Sequence, residues 1–244
     1  MQKIILNNVS KIIKGRTVLS GINIKLEGGT IYGLSGINGS GKTMLLRMIA
    51  GLIKPTTGAV FINEKELHKD MDFPEDVGAL IENPDFWPSY TGEEALYSIA
   101  KIKKQIGIPE IQKTLEYVGL KPNDSRTIKK YSLGMKKRLG IAQAIMENPK
   151  ILLLDEPCNA LDSEGEKMVS QLLQKKKEEG TIVVIASHAQ NDLALCDYIF
   201  EVRDGRIESW EELLLDISPL KCATYDIIDI TMLTISDKAE CLTN

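Results

Sequence analysis

The chain has 244 residues, 43% of them hydrophobic, which suffices to bury the core of one large domain. Its formal net charge of −4 disfavours a dedicated nucleic-acid binder, which would carry a basic excess. Four widely spaced cysteines without a Cys-x-x-Cys pair predict free thiols in a reducing compartment. The chain lacks a signal-peptide pattern and an uncharged apolar run of about eighteen residues, so we expect a soluble, cytoplasmic protein.

Residues 1–30 predict an antiparallel β subdomain. Apolar or alternating residues occur at 4–6 and 22–26, and the Gly28-Gly29 pair predicts a turn. Residues 31–34 then predict a short buried strand that leads into a glycine-rich segment.

Residues 36–43 read Gly-Ile-Asn-Gly-Ser-Gly-Lys-Thr and fit the pattern Gly, four residues, Gly-Lys-Ser/Thr. Such a loop turns backbone N–H groups towards phosphates, while Lys42 reaches the terminal phosphates and the Thr43 hydroxyl can bind Mg²⁺. The helix predicted at 44–51 would add its positive dipole end. A simple glycine-rich turn is the alternative, and the full pattern between a strand and a helix disfavours it. The candidate phosphate-binding residues are Gly36, Asn38, Gly39, Ser40, Gly41, Lys42 and Thr43.

The rest of the chain alternates between predicted strands and helices, as in an α/β fold. A segment rich in helix formers, at about 88–148, predicts a helical lobe inserted into the core. Uninterrupted apolar runs are typical of parallel strands buried on both faces. Strands are predicted at 59–62, 77–81, 151–154 and 182–186, and a charged helix at 163–179.

Four predicted strands run directly into polar or glycine-rich residues. These residues are the phosphate loop, Glu82, the pair Asp155-Glu156, and the pair Ser187-His188. Ligands of open parallel sheets bind at the carboxyl ends of the strands, so the four segments are expected to surround one site.

Asp155 and Glu156 follow an aliphatic strand and predict the carboxylates of a nucleotide site. The first carboxylate would hold Mg²⁺, and the second would orient the attacking water or accept its proton. An acidic turn after a strand is the alternative, which the accompanying phosphate loop disfavours.

Ser132 predicts the N-cap of a helix that ends near Asn148. Apolar residues at helical spacing follow it, together with basic residues at 136–138. Considered alone, this segment is best interpreted as a capped amphipathic helix with a solvated basic face.

The order of these motifs resembles the ATP-binding subunit of an ABC transporter. The resemblance covers residues 1 to about 208 and includes the phosphate loop, the Ser-x-Gly helix start, Asp155-Glu156, the Ala160-Leu161-Asp162 segment and a lone histidine. It implies a P-loop NTPase core with a mostly parallel sheet, an N-terminal antiparallel β subdomain and an inserted helical lobe. Residues 209–244 are interpreted as a tail of unknown role, with a helix pattern at 210–215 and a weak strand pattern at 227–235.

The resemblance also implies a role for each matching residue. Thr43, Glu82 and Asp155 would bind Mg²⁺, and Glu156 would be the catalytic carboxylate. The segment containing Ser132 and Gly134 would contact the γ-phosphate of ATP bound by the opposite subunit. Asp162 would belong to the D-loop, and His188 would be the switch histidine that senses the γ-phosphate. A histidine that only caps local hydrogen bonds is the alternative for His188.

Three departures from the usual family pattern stand out. The signature segment reads Tyr-Ser-Leu-Gly-Met at 131–135, Glu82 stands where most members have glutamine, and Ile13 lies where an adenine-stacking aromatic is common. The first two resemble the bacitracin- and lantibiotic-resistance branch of bacterial exporters. Two prolines and three aromatic residues within 83–90 are interpreted as part of the groove for the membrane subunit, or as a loop that packs its own rings.

We therefore expect an ATPase subunit of a bacterial ABC exporter, with antimicrobial peptides as the cargo suggested by the branch resemblance. The resemblance implies ATP and Mg²⁺ as cofactors, a head-to-tail dimer of two copies, and a membrane-spanning permease. It places the protein on the inner face of the cell membrane, held there only through the permease. The alternative is a soluble ABC-type ATPase in a non-transport process, although such proteins usually carry a coiled-coil insertion or a second nucleotide domain.

Overall fold

The computed structural model describes residues 2–82 and 84–208. The strands are β1 (Lys3–Ile13), β2 (Arg16–Glu27), β3 (Thr30–Ser35), β4 (Thr57–Ile62), β5 (Lys65–Glu66), β6 (Val77–Leu80), β7 (Ile151–Asp155), β8 (Ile182–Ser187), β9 (Tyr198–Arg203) and β10 (Arg206–Glu208). The helices are α1 (Lys42–Ile49), α2 (Gly92–Lys103), α3 (Ile108–Tyr117), α4 (Leu133–Ile145), α5 (Ser163–Glu178) and α6 (Gln190–Leu193), with a 3₁₀ turn at Ile128–Lys130. The elements predicted at 210–215 and 227–235 lie outside the described residues.

The N-terminal strands form the predicted antiparallel sheet. Its strand order is β2-β1-β4-β5, and β1 pairs with both β2 and β4. Alternate residues of β1, such as Ile4 and Leu6, are buried, because successive side chains of a strand point to opposite faces. The predicted β subdomain is therefore confirmed, and it includes the strand expected at 59–62.

The second sheet has six strands in the order β10-β9-β3-β8-β7-β6. All of its pairings are parallel except the β9–β10 hairpin at one edge. Strands β7 and β8 are buried along their whole length, which agrees with their uninterrupted apolar sequences. The mostly parallel core of the predicted fold class is confirmed.

Two hydrophobic layers cover the opposite faces of the parallel sheet. Leu152 and Leu154 of β7 face the layer formed with helices α2 to α5, whereas Ile151 and Leu153 face the layer formed with α1 and the antiparallel sheet. Because neighbouring residues of one strand serve both layers, the sheet is fixed between the helical lobe and the β subdomain.

Helices α2, α3 and α4 and the 3₁₀ turn occupy the segment where the helical lobe was predicted. Thr91 caps α2 in a capping box with Glu94, and Ser132 caps α4 as expected by accepting a hydrogen bond from the Met135 N–H. Helix α4 packs against β6 of the core. Within the part of the chain that the structure describes, no helix is both long and apolar enough to span a membrane.

Candidate nucleotide-binding site

The carboxyl ends of four adjacent strands meet at one edge of the parallel sheet. Strands β3, β8, β7 and β6 lie side by side, with Ser35 opposite Ser187 and Asp155 opposite Ala186. The phosphate loop follows β3, Glu82 follows β6, and His188 follows β8. The predicted convergence of these segments is confirmed.

A pocket of about 320 Å³ opens at this edge. It brings together eight of the residues selected from the sequence, namely Asn38, Gly39, Gly41, Lys42, Thr43, Glu82, Asp155 and Glu156. Val18, Met44 and Arg47 complete its wall. Ile13, at the end of β1, is not among the residues that line the pocket.

Glycine is required at two positions of the phosphate loop. Gly36 has a φ of 147°, and a Cβ atom there would lie 2.3 Å from the Val202 carbonyl oxygen. Gly41 has a φ of 117° at the N-cap of α1, a backbone conformation that side chains with a Cβ rarely adopt. These two glycines allow the chain to turn sharply from β3 into the start of α1.

Gly36 and Ser40 shape the loop from outside the pocket wall. The Ser40 side chain is buried, and the Ser40 backbone N–H donates a hydrogen bond to the Ile37 carbonyl oxygen. The Ser40 carbonyl oxygen accepts a hydrogen bond from the N–H of Gly205, in the turn between β9 and β10. Ser40 therefore links the loop to the turn between β9 and β10, and its buried hydroxyl is not part of the pocket wall.

The Lys42 ammonium closes the loop on itself. Its Nζ donates hydrogen bonds to the carbonyl oxygens of Gly36, at 2.6 Å, and Ile37, at 3.0 Å. Burial lowers the pKa of Lys42, while the carboxylates of Glu156 and Asp155 oppose this shift. The ammonium thus lies over the loop, near both acidic groups.

Thr43 and Asp155 place two oxygen atoms next to each other in the pocket. The Thr43 hydroxyl donates to Asp155 Oδ2 over 2.8 Å. Mg²⁺ is usually held by one or two protein oxygens together with substrate phosphates and water, so this pair fits the ion. Within residues 2–82 and 84–208, no cluster of three or more His, Cys, Asp or Glu residues could hold a metal by itself.

Burial raises the pKa of Asp155, and the charge of Glu156 acts in the same direction. Hydrogen bonds from the Thr43 hydroxyl and the Glu82 backbone N–H oppose the shift, as does the charge of Lys137. A cation at the Thr43–Asp155 oxygens would therefore relieve an unfavourable concentration of negative charge.

Both carboxylate oxygens of Glu156 are held by residues at the carboxyl end of β8, namely its last residue, Ser187, and the next residue, His188. His188 Nδ1 lies 2.6 Å from Oε1, and Ser187 Oγ lies 3.0 Å from Oε2. The Ser187 hydroxyl is itself fixed by the buried Asp192, at 2.7 Å, and by the Ala189 N–H. The His188 ring thus contacts the predicted catalytic carboxylate directly.

The Glu82 carboxylate forms an ion pair with Arg47 of α1, at 2.7 Å. Its backbone has a φ of 61°, in the left-handed region. Both residues line the pocket, so the negative charge of Glu82 lies beside a guanidinium.

Three further predicted residues lie outside the pocket wall of this chain. Ser132 is exposed at the start of α4, and a Cβ atom at Gly134 would lie 3.0 Å from the Ala160 carbonyl oxygen. Asp162 caps α5 through the Gly165 N–H and forms an ion pair with Arg138. These residues form one group at the start of α4 and α5.

The basic residues of α4 do not form the solvated face that the simplest interpretation expects. Lys137 is only 6% exposed, and its Nζ donates to the backbone carbonyl oxygen of Asp155. Burial lowers the pKa of Lys137, against the attraction of Asp155, Glu156 and Asp192. The contacts of Lys137 and Arg47 are not predicted from the sequence. The only sequence signal for Lys137 is the lysine run, and the only one for Arg47 is its position one helical turn after Thr43.

Of the three aromatic rings within 83–90, two are exposed and one is buried. Trp87 is 71% exposed and Tyr90 is 38% exposed, whereas Phe86 is only 9% exposed and packs in the helical core layer. Burial of this apolar ring fixes the segment against the helical lobe. Asn83 lies outside the described residues.

A model of the family described as "ABC transporter" matches residues 19–159, more than half of the chain. The chain belongs to this family. Among curated relatives, the ABC transporter ATP-binding protein YybJ of Bacillus subtilis is 47% identical over 208 residues, covering 85% of this chain and 95% of YybJ. The bacitracin transport ATP-binding protein BcrA of Enterococcus faecalis is 39% identical, with 82% of this chain and 66% of BcrA covered. The lantibiotic transport ATP-binding protein SrtF of Streptococcus pyogenes is 34% identical, with 83% of this chain and 87% of SrtF covered.

Two solved structures of the cassette MJ0796 have the same fold. Its dimeric structure gives a TM-score of 0.76 at 27% identity, and its dimeric post-hydrolysis state with ADP and Pi gives 0.76 at 25%. Both alignments cover 84% of this chain and 96% of the cassette. The predictions of a P-loop NTPase fold and of an ATP-binding, ATP-hydrolysing ABC protein are confirmed.

Proposed function

We propose that this chain is the ATPase subunit of a bacterial exporter, with residues 1–208 as its ATP-binding domain and 88–148 as the helical lobe. The observation that carries the proposal is the meeting of Lys42, Thr43, Asp155 and Glu156 in one pocket. The tail at 209–244 is left without a proposed role.

The phosphate loop would hold the triphosphate. Backbone N–H groups at Gly39 and Gly41, and those at the start of α1, would bind phosphate oxygens. Lys42 would exchange its contacts with the Gly36 and Ile37 carbonyl oxygens for the terminal phosphates, because an anion is a stronger partner for an ammonium than a neutral carbonyl. Asn38 would add a side-chain contact from the pocket wall.

Mg²⁺ would be held by Thr43 and Asp155, whose oxygens are already adjacent. When bound, the ion would neutralise charge that develops on the phosphate oxygens. Glu82 would become a further ligand only after its carboxylate leaves the ion pair with Arg47.

Glu156 would act as the general base on the attacking water. The 2.6 Å contact with His188 would orient its carboxylate, and the imidazole would also contact the γ-phosphate. Lys42 and the loop N–H groups would stabilise the charge that forms during in-line attack.

A second copy would complete each site in a head-to-tail dimer. Ser132 and Gly134 lie outside their own pocket and are free to face the nucleotide of a partner, with Asp162 beside them. The dimeric MJ0796 structures, which share the fold, support this arrangement.

A membrane-spanning permease is the proposed second partner, and it would hold the subunit at the inner face of the cell membrane. The names of the relatives BcrA and SrtF support peptide antibiotics as cargo. The exposed Trp87 and Tyr90 rings support a docking surface next to Glu82, because exposed aromatic residues are enriched at interfaces. No nucleic-acid partner is proposed, given the net charge of −4.

The test is to purify the tagged full chain from detergent-solubilised membranes. The Glu156→Gln variant is purified in parallel, because loss of hydrolysis should preserve the ATP-bound assembly. We expect a multi-span membrane protein in the complex, and Mg²⁺-dependent ATPase activity of the wild-type complex that bacitracin or a lantibiotic stimulates. A chain that hydrolyses ATP but is recovered only with soluble proteins would contradict the exporter proposal and favour a soluble ABC ATPase.

A further inference from the structure

Lys137 is a buried cation for which the proposed function has no role. It lies near the start of α4, is 6% exposed, and donates a hydrogen bond of 3.0 Å to the Asp155 carbonyl oxygen. A buried ammonium is unfavourable unless it is paired, so its position requires the neighbouring acidic segment. This hydrogen bond joins the helix that begins after Ser132 to the strand end that carries the catalytic residues.

The peptide that receives this hydrogen bond is the one between Asp155 and Glu156. Its carbonyl oxygen accepts from Lys137, and its N–H, which belongs to Glu156, donates to the Ala186 carbonyl oxygen at 2.8 Å. Glu156 has a φ of 48°, a left-handed conformation that a residue with a Cβ adopts only where its surroundings enforce it. Lys137 is therefore one of two groups that fix the peptide from which the Glu156 side chain projects.

Two more contacts tie the start of α4 to the same segment. Arg138 Nη2 forms a 2.8 Å ion pair with Asp162, and Gly134 packs so closely on the Ala160 carbonyl oxygen that a Cβ would approach it to 3.0 Å. The start of α4 therefore has little freedom to move without moving residues 155–162.

We propose that Lys137 is a positioning residue that couples the two ATP sites of the dimer. The inference rests on the proposed head-to-tail arrangement, in which Ser132 contacts the nucleotide bound by the partner. Contact of Ser132 with the partner's nucleotide would fix the position of α4. Through its hydrogen bond to the Asp155 carbonyl oxygen, Lys137 would then fix the position of Glu156 in its own pocket. ATP in one site would then align the catalytic carboxylate of the other.

A purely structural role for Lys137 makes a different prediction. If Lys137 only stabilises the start of α4, its loss would weaken the contact of Ser132 with the partner's nucleotide and impair the partner's site. If it positions Glu156, its loss would impair the site of its own subunit. The two roles are separated by asking which copy of a dimer must carry Lys137.

The test uses mixed dimers of two differently tagged full-length copies, one of which carries Glu156→Gln and is silent. Lys137→Met is placed either in the working copy or in the silent copy. We expect kcat to fall about tenfold when Lys137→Met is in the working copy, because a displacement of about 1 Å at a catalytic group can cost up to about 10²-fold in rate, with KM for ATP nearly unchanged. When Lys137→Met is in the silent copy, the kcat of the mixed dimer should change less than about twofold. Lys137→Arg in the working copy should retain part of the rate that Lys137→Met loses.

Lys176→Met is the matched control, because Lys176 is also a buried lysine, 5% exposed, but lies on α5 and contacts Asn148 and Glu179. The effect of Lys176→Met on kcat should be the same whichever copy carries it. Equal losses in both placements, a loss only when the silent copy carries the substitution, or no loss in either placement would overturn the coupling role of Lys137. Mixed dimers with Lys137 intact in both copies give the reference rate. If dimers of two wild-type copies do not hydrolyse ATP, the proposed function itself fails and the inference fails with it.

Discussion

Arg47 Nη2 lies 2.7 Å from Glu82 Oε2, so the acidic departure from the usual glutamine is matched by a cation on α1. Both side chains line the nucleotide pocket, and Glu82 is more exposed than its partner. Exposed ion pairs of this kind contribute about 0–1 kcal/mol to stability. The pair is therefore weak enough to open when a nucleotide or a metal ion offers either residue a stronger partner.

Glu82→Gln is expected to leave stability and ATP affinity nearly unchanged, because an amide can still contact Arg47 and the lost ion pair contributes about 0–1 kcal/mol. ATP turnover in the assembled transporter, or its coupling to transport, should change by several-fold. Urea unfolding, nucleotide titration and cargo-stimulated ATPase assays measure the three quantities separately.

The matched control is Glu64→Gln, since Glu64 is also an exposed glutamate with a left-handed backbone but lies outside the pocket. It should have no effect on any of the three measurements. Normal ATPase and transport in Glu82→Gln would show that the carboxylate is incidental.

Lys42→Ala is expected to weaken nucleotide binding about ten- to one hundredfold, since hydrogen bonds to charged groups contribute about 1.5–3 kcal/mol. The loss of donors to the Gly36 and Ile37 carbonyl oxygens should also loosen the empty loop. Titration with a fluorescent ATP analogue measures the change. Lys69→Ala, which removes an exposed lysine, should bind as the wild type, and unchanged affinity in Lys42→Ala would count against the phosphate cradle.

Glu156→Gln keeps the shape of the side chain but removes its ability to accept a proton. Hydrolysis should fall about 10²- to 10⁴-fold, the usual contribution of a general base, while ATP binding is retained. ATP-bound dimers should then accumulate and be visible by gel filtration. Glu178→Gln, at the exposed end of α5, is the control, and wild-type turnover in Glu156→Gln would remove this residue from its role.

The phosphate loop and the strand ends could be predicted because their signals are local. The loop occupies eight consecutive residues, and an apolar run followed by a polar residue marks the carboxyl end of a buried strand. Once the strands are taken as parallel neighbours, their pairing alone brings Asp155 and Ser187 to the same edge of the sheet as the loop. The short hairpin of β9 and β10 carries mixed polar and apolar residues, and it was not predicted.

The contacts of Lys137 and Arg47 could not be predicted, because they depend on how helices pack against the sheet. Lysine is rarely buried, so the lysine run of α4 favoured a solvated face. Only the packing of α4 on the core places the Lys137 ammonium against the Asp155 carbonyl oxygen. Sequence order likewise did not show that Phe86, between exposed neighbours, turns into the core.

Ser132 combines two functions that substitutions can separate. Its hydroxyl accepts a 3.2 Å hydrogen bond from the Met135 N–H as the N-cap of α4, and it is proposed to contact the partner's γ-phosphate. Ser132→Ala should cost about 1 kcal/mol of stability and also reduce turnover, because both contacts are lost. Ser132→Asp keeps a good cap but brings negative charge towards the phosphate, so it should retain stability and lose ATP-driven dimerisation.

Urea unfolding measures the first effect of these substitutions, and gel filtration with ATP in a Glu156→Gln background measures the second. Thr91→Ala is the matched control, since Thr91 caps α2 in the same way, accepting from the Glu94 N–H at 3.2 Å, but lies outside the pocket. It should lower stability by about 1 kcal/mol and leave dimerisation intact. A Ser132→Asp protein that still dimerises with ATP and hydrolyses it at the wild-type rate would show that this hydroxyl does not face the partner's nucleotide.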